Sequence, residues 1–271
     1  HLSKGGQRAV QLAILERDGR DPLLPLQPIG GLGACAVGDL GRARALAASG
    51  WLAKHATDKH GSTALMWAAG GGHLPVARWL LEEVGVAVDA VNKDRRTALQ
   101  WACKTGRCEV AAYLLDTAHA DPTLRMKDDS TAFDWAVLSG DRPTMELLAA
   151  HPRVDIHSLN KFGCAAVQWA AAAGNVDTLR WLQAQGLSLA HVNAANHGAI
   201  VKAAWKGHLE VLRWLLYDEE GPQLTAQLEL LDLEGRTVAE LVRQNGQHEV
   251  ADWLHARIQE HAAFSSVHKR I

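Results

Sequence analysis

The sequence predicts an all-α solenoid of about seven helix-turn-helix units, counting a cap at each end. Two periodicities argue for it. Trp67, Trp101, Trp135 and Trp169 recur every 34 residues; Gly72, Gly106, Gly140 and Gly174 keep the same interval, and Gly207 and Gly246 continue it at 33 and 39. A fixed period of that size encodes one supersecondary unit that buries its apolar face only by stacking on copies of itself. Composition agrees, because 48% hydrophobic residues supply ample core for such a stack.

Residues 1–27 read as an N-terminal helix and a connector. Val10, Leu12, Ala13, Ile14 and Leu15 fall within a short helical pattern, and Asp21-Pro-Leu-Leu-Pro-Leu-Gln-Pro28 is extended and punctuated by proline. This segment is expected to lie over the first repeat. The array occupies 28–258. Its first unit, Ile29 to Gly50, reads as a capping repeat. Each following unit opens with a small residue and an apolar, aromatic, small-residue run ending at glycine, as in Thr63-Ala-Leu-Met-Trp67-Ala-Ala and Thr97-Ala-Leu-Gln-Trp101-Ala-Cys. After the glycine, Leu74, Val76, Ala77, Trp79, Leu80 and Leu81 have helical spacing, and Leu209 to Leu216 repeat it. The step from Trp214 to Trp253 is 39 residues, so Tyr217 to Leu231 is an insertion that either offers a binding loop or shields the last unit. Residues 259–271 leave the pattern and are expected to form a solvated tail.

The openings Thr63–Met66, Thr97–Gln100, Thr131–Asp134 and Thr237–Glu240 resemble the Thr-Pro-Leu-His opening of the ankyrin repeat. No unit keeps the proline or the histidine, and Ala165 and Gly198 replace the threonine. Weaker hydroxyl caps and inter-repeat hydrogen bonds are therefore expected there. The resemblance covers roughly residues 28 to 258 and implies a protein-binding scaffold without catalytic activity or cofactor.

Composition and motifs exclude several other classes. A formal charge of −2 gives no net attraction for nucleic acid or anionic lipid. No apolar run approaches the roughly 20 residues that cross a bilayer. Cys35 and Cys103 share the slot of Ala69, a small buried position, and Cys108 takes that of Leu74. Together with His119, Cys103 and Cys108 match no compact metal-ligand spacing, so packing explains them and no metal site is assigned. His73 and His208 follow the glycine at equivalent positions, where a structural role at the start of the second helix is expected. There is no phosphate loop, nucleophile elbow or His-Glu-x-x-His helix, and Gly70-Gly-Gly72 is a helix stop.

Function is then sought on the turn tips and on the outward side of each first helix. Lys59, Lys93, Lys127 and Lys161 stand at intervals of 34 and form one lysine edge, partly offset by Asp58, Asp94, Asp128 and Asp129. Phe162 occupies a tip position held elsewhere by His60, Asp94 and Asp128, and has no core to enter. Trp205 falls outside both tryptophan slots, and with Leu138, Ala172 and Ala173 predicts an apolar patch edged by Lys104 and Lys206. The expected role is an accessory or structural subunit of a larger protein assembly, with no direct nucleic acid and no transmembrane segment; a reversible adaptor recruiting a client to an enzyme is the alternative. An intracellular location is expected, cytoplasmic or organellar after loss of a targeting peptide, since four unpatterned cysteines suit a reducing compartment.

Replacing Cys103 and Cys108 by alanine is expected to lower stability modestly and to release no metal. Stoichiometric zinc in the purified protein, lost in that double variant, would contradict the packing reading.

Overall fold

Threonine hydroxyls start the first helix of most repeats. Thr63, Thr97, Thr131 and Thr237 hold extended backbone and accept the N–H three residues on, at 3.2–3.3 Å. Gln100, Asp134 and Glu240 return the bond, each accepting the threonine N–H at 2.8–2.9 Å. Such reciprocal caps stabilise a helix by about 1 kcal/mol. Ala165 has no hydroxyl to offer, yet its N–H still donates to Gln168 Oε1 at 2.8 Å. The helices of these repeats stop at glycine: Gly72, with φ of +81°, takes the left-handed conformation that closes the last turn.

The computed structural model describes residues 30–268 and contains fourteen α-helices and no β-strand among them. The N-terminal helix and connector expected over 1–27 lie outside the described residues. Contacts divide the chain into two compact units, one running to Lys127 and including Glu146–Arg153, the other comprising Asp128–Met145 and the residues from Val154 onward.

The first unit contains α1 (Gly31–Val37), α2 (Leu40–Ala48), α3 (Ala64–Gly71), α4 (Leu74–Glu82), α5 (Ala98–Lys104) and α6 (Cys108–Ala112), which a π-helical turn (Tyr113–Thr117) prolongs. Paired helices form hairpins, while α3 packs between α1 and α5. Small residues allow that approach: Ala34, Cys35, Ala68, Ala69, Ala102 and Cys103 are completely buried. Burial pushes the Cys35 thiol up to about 12, which makes it inert. Trp51 seals the first repeat by lying on Gly31, where a Cβ would come within 2.1 Å of the indole.

The second unit contains α7 (Ala132–Ser139), the start of α8 (Arg142–Ala149), α9 (Ala166–Ala173), α10 (Val176–Ala184), α11 (Ala199–Trp205), α12 (Leu209–Tyr217), a 3-10 turn (Thr225–Glu229), α13 (Val238–Gln244) and α14 (His248–His268). Here α9 packs between α7 and α11, and α13 against α11 and α14. Inter-repeat bonds persist despite the missing motif histidine. Gln168 Nε2 donates to His191 O at 3.3 Å, as Gln100 Nε2 does to Leu124 O at 2.6 Å in the first unit.

Second helices are joined by cation–π contacts as well as by apolar packing. Arg142 lies 5.2 Å from the Trp181 ring and Arg180 5.7 Å from that of Trp214; in the first unit Arg78 lies 5.0 Å from Tyr113. The patterned tryptophans do not all enter the core. Trp79, Trp101, Trp135, Trp181 and Trp214 are buried, but Trp67, Trp169 and Trp253 are half-buried at helix faces.

The insertion is packed rather than free. Gly221 approaches Trp214 O so closely that a Cβ would sit 2.0 Å away, and Leu224 N–H donates to Leu215 O at 2.8 Å. Leu224, Gln227 and Leu228 are buried, and the 3-10 turn rests on α14. That contact explains why α14 does not end at residue 258: His261 Nδ1 meets Glu229 at 3.2 Å, and Arg257 pairs with Glu260 at 2.9 Å one turn on. The helix continues to His268 instead of giving way to a tail at 259.

The insertion also accounts for Gly198. A Cβ there would stand 2.3 Å from Gln227 Oε1, while Gln227 Nε2 donates to Ala190 O at 3.1 Å. Gly198→Thr restores the motif residue, but in place of the roughly 1 kcal/mol of a new cap it is expected to cost about 1–3 kcal/mol by overpacking. In a Gln227→Ala background the cost should shrink, which a double-mutant cycle from urea denaturation measures. A stabilised Gly198→Thr variant would contradict this packing.

Candidate partner-binding surface

Most turn tips are fixed by a side-chain oxygen at their start; the tip opened by Met126 is the exception. Asn92 Oδ1 accepts the N–H groups of Asp94 and Arg96, Asn160 those of Phe162 and Cys164, and Asn193 those of Ala195 and His197, all at 2.9–3.0 Å. Asp58 does the same for His60 and Ser62 at 2.8 Å. Backbone bonds tie successive tips together. In the first unit Lys93 N–H donates to His60 O at 2.9 Å and Lys127 N–H to Asp94 O at 3.1 Å. In the second, Lys161 N–H donates to Asp128 O and Ala194 N–H to Phe162 O, at 3.0 and 3.4 Å.

Lys59, Lys93 and Lys127 are exposed along the first unit's tips, and Lys161 on the second's. The first of these rows is not a set of independent cations, because Lys93 Nζ donates to Lys59 O at 2.8 Å. Neighbouring carboxylates are engaged within their own turns: Asp58 as above, Asp94 with Arg96 at 3.2 Å, and Asp128 with Ser130 N–H at 3.2 Å. In the second unit the tip position after the turn-opening Asx residue changes character, from Lys161 to Ala194 and then to Leu233, which is 78% exposed. Phe162 is 56% exposed, with the Lys161 ammonium 5.0 Å from its ring centroid. Leu233 was missed in the sequence because the inserted residues before it shift the period; counting from Asp232 would have found it.

On the first helices of the second unit, Leu138, Ala172 and Ala173 are half-buried and Lys206 is exposed. Trp205 is half-buried, less open than its register predicts. Its ring meets His197 edge-on at 5.8 Å, the Lys202 ammonium stands 5.7 Å from its centroid, and its carbonyl accepts Asn245 Nδ2 at 3.2 Å. Lys202, also absent from the sequence-based set, occupies the helix position held by Trp169 one repeat earlier. In the first unit Lys104 is exposed, with its ammonium 5.5 Å from the Trp101 ring centroid.

The shifted carboxylates have structural causes. Hydrogen bonds from Thr123 lower Asp121, the Arg236 N–H lowers Asp232, and the Thr237 N–H lowers Glu240. His73 and His208 bridge repeats at the start of second helices: their Nε2 atoms lie 3.0 Å from Ala36 O and 3.1 Å from Ala172 O. Cys103 is buried in α5 and Cys108 opens α6; among the described residues no three His, Cys, Asp or Glu side chains cluster to hold an ion. No helix of the described residues is long and apolar enough to cross a membrane. A groove of about 790 Å³ in the second unit, between α10 and α12, is lined by Asp177, Arg180, Glu210, Arg213, Trp214 and Tyr217, a mixture of both charge signs.

The family model described as ankyrin repeats (3 copies) matches residues 33–126 and 133–227. No curated protein matches the chain.

Burial is the first cause that holds both His73 and His197 below the ordinary 6.5 of histidine. The unfolded chain therefore takes up these protons first as pH falls through 6.5, so stability declines below that point and levels off beneath the folded-state values. Urea denaturation between about pH 7.5 and 5 should show the decline, and a His73→Gln, His197→Gln double variant should be flatter over that window. An equally steep dependence in the double variant would assign it to other groups.

Proposed function

Because the chain belongs to the ankyrin-repeat family, whose repeats mediate binding to protein partners, we propose that it is a non-catalytic scaffold held as an accessory or structural subunit in a larger protein assembly. The observation that carries the reading is Trp205. It stands outside both tryptophan slots of the repeat, it is only partly buried, and the positions matching it on α9 and α7 are Ala172 and Leu138. A large amphipathic ring beside a floor of small residues has the composition of an interaction hot spot. Ala173 extends that floor and Lys206 borders it; Phe162 and Lys161 offer a separate anchor on a tip of the second unit, and the first unit offers Lys104 and the Lys59, Lys93, Lys127 row as a separate basic edge. All four cysteines are free thiols, which favours a reducing intracellular compartment.

A subunit of this kind leaves gel filtration with its partner in fixed stoichiometry. Trp205→Ala is expected to weaken that complex by about 2 kcal/mol or more while the melting temperature stays nearly constant, with Leu138→Ala as a weaker companion. Loss of stability with intact binding of the folded fraction would assign Trp205 to packing instead. Unchanged binding in both variants would remove this surface.

A further inference from the structure

Trp205 is closed on one side by His197. The imidazole meets the indole edge-on, at 5.8 Å between centroids and an interplanar angle of 80°, a favourable arrangement for two rings. The backbone beneath the imidazole is pinned: the His197 N–H donates to Asn193 Oδ1 at 2.9 Å, the His197 carbonyl accepts the Asn193 N–H at 3.2 Å, and Gln168 Nε2 reaches that carbonyl at 3.5 Å. Only the side chain is left to move. His197 is half-buried, so a route to water is open to it.

Among the described residues nothing pairs with the buried Nε2 of His197. A neutral imidazole can leave a lone pair there, but an imidazolium carries an N–H donor on both nitrogens. Protonation in place would therefore bury a charged donor without an acceptor, which is costly. The charges around the ring do not relieve this. Burial is the first cause that holds the imidazole below its ordinary 6.5; Lys202 on α11 and Arg236 on the tip before α13 add to it, and Asp232 on that tip opposes them. Asp232 is already engaged, by the Arg236 guanidinium at 2.6 and 2.8 Å and by the Glu234 and Arg236 N–H groups at 2.9 Å. Glu234, itself largely exposed, pairs with Arg236 at 2.8 Å.

We propose that His197 is a pH-sensitive cover on the partner site: the neutral ring shields one side of Trp205, and protonation turns it out to water and uncovers the indole. This rests on the scaffold reading above and adds its regulation. The uncovered state takes up the proton more readily than the covered one, because its imidazole is hydrated. A partner seated on the uncovered indole therefore binds together with a proton, and it is held more tightly as pH falls through the ordinary histidine range.

Fluorine NMR of the full chain labelled with fluorotryptophan reads the cover without any partner, the Trp205 signal being identified by its loss in Trp205→Phe. Between about pH 7.5 and 5.5 that signal should shift and report greater solvent access, while the other tryptophan signals hold. His197→Phe keeps a ring that takes no proton, and His197→Gln removes the ring; Trp205 should not titrate in either, and circular dichroism verifies that each variant folds. A Trp205 signal indifferent to pH in the unmodified chain, or one that titrates equally in a folded variant, would overturn the cover. Retention of the native partner should rise from about pH 7.5 to 5.5 on the unmodified chain and stay flat on His197→Phe; flat retention on both would also overturn it. The two claims fail separately. A complex lost on Trp205→Ala beside a Trp205 signal indifferent to pH keeps the scaffold reading and removes the cover, whereas a complex that survives Trp205→Ala removes the partner site and its regulation with it.

Discussion

Close approach of the first helices is the constraint on which the rest depends. Ala68, Ala102, Ala136, Ala170 and Ala203 occupy the same position in successive repeats, and each is completely buried. One repeat cannot bury such a surface alone, so within each unit the helices must lie against their neighbours. An alanine seam leaves no room for extra methylenes and offers little apolar area per residue. Larger side chains compensate elsewhere: Leu65, Leu99, Phe133 and Ile200 fill the space between first and second helices. Beside the alanines the same helices carry Trp67, Trp101, Trp135 and Trp169, with Trp101 lying against Gly70 of the repeat before it, and in α11 that position is taken by Lys202.

Polar groups fix what apolar packing leaves loose. The oxygens of Asp58, Asn92, Asn160, Asn193 and Asp232 hold their tips in one shape, and backbone bonds from one tip to the next set the interval at which side chains project. Individually such bonds contribute about 1 kcal/mol. Their larger effect is geometric, since a surface of tips recognises a partner only if its side chains keep a fixed spacing. The inserted segment has the same logic. Gln227 borrows the space that Gly198 vacates, so two departures from the repeat pattern, 29 residues apart in the chain, form one contact.

The fold was legible because its signals are local and repeated. Tryptophan and glycine periods gave the unit, threonine marked the helix starts, and the 39-residue step located the insertion. Packing of that insertion was not legible, because Leu228 and Gln227 are recognised as buried only once α14 and Gly198 are placed beside them. The extent of α14 escaped for a similar reason: Glu229 supports it from outside its own sequence. For the surface, register correctly found the exposed lysines and Phe162. It overstated the exposure of Trp205 because His197, eight residues earlier, folds against the indole. Lys202 was passed over since a lysine in a tryptophan slot breaks the pattern being counted.

A scaffold of this design presents a partner with a surface whose chemistry changes along the chain while its geometry stays periodic. Hydrogen–deuterium exchange of the native complex against the free chain tests that account most directly. Slower exchange on binding at residues 161–173 and 197–206, the tips and first helices that carry Phe162, Lys202 and Trp205, is the result predicted. Protection confined to the second helices, Val176–Ala184 and Leu209–Tyr217, with none at Trp205, would place the partner on the opposite face and contradict it.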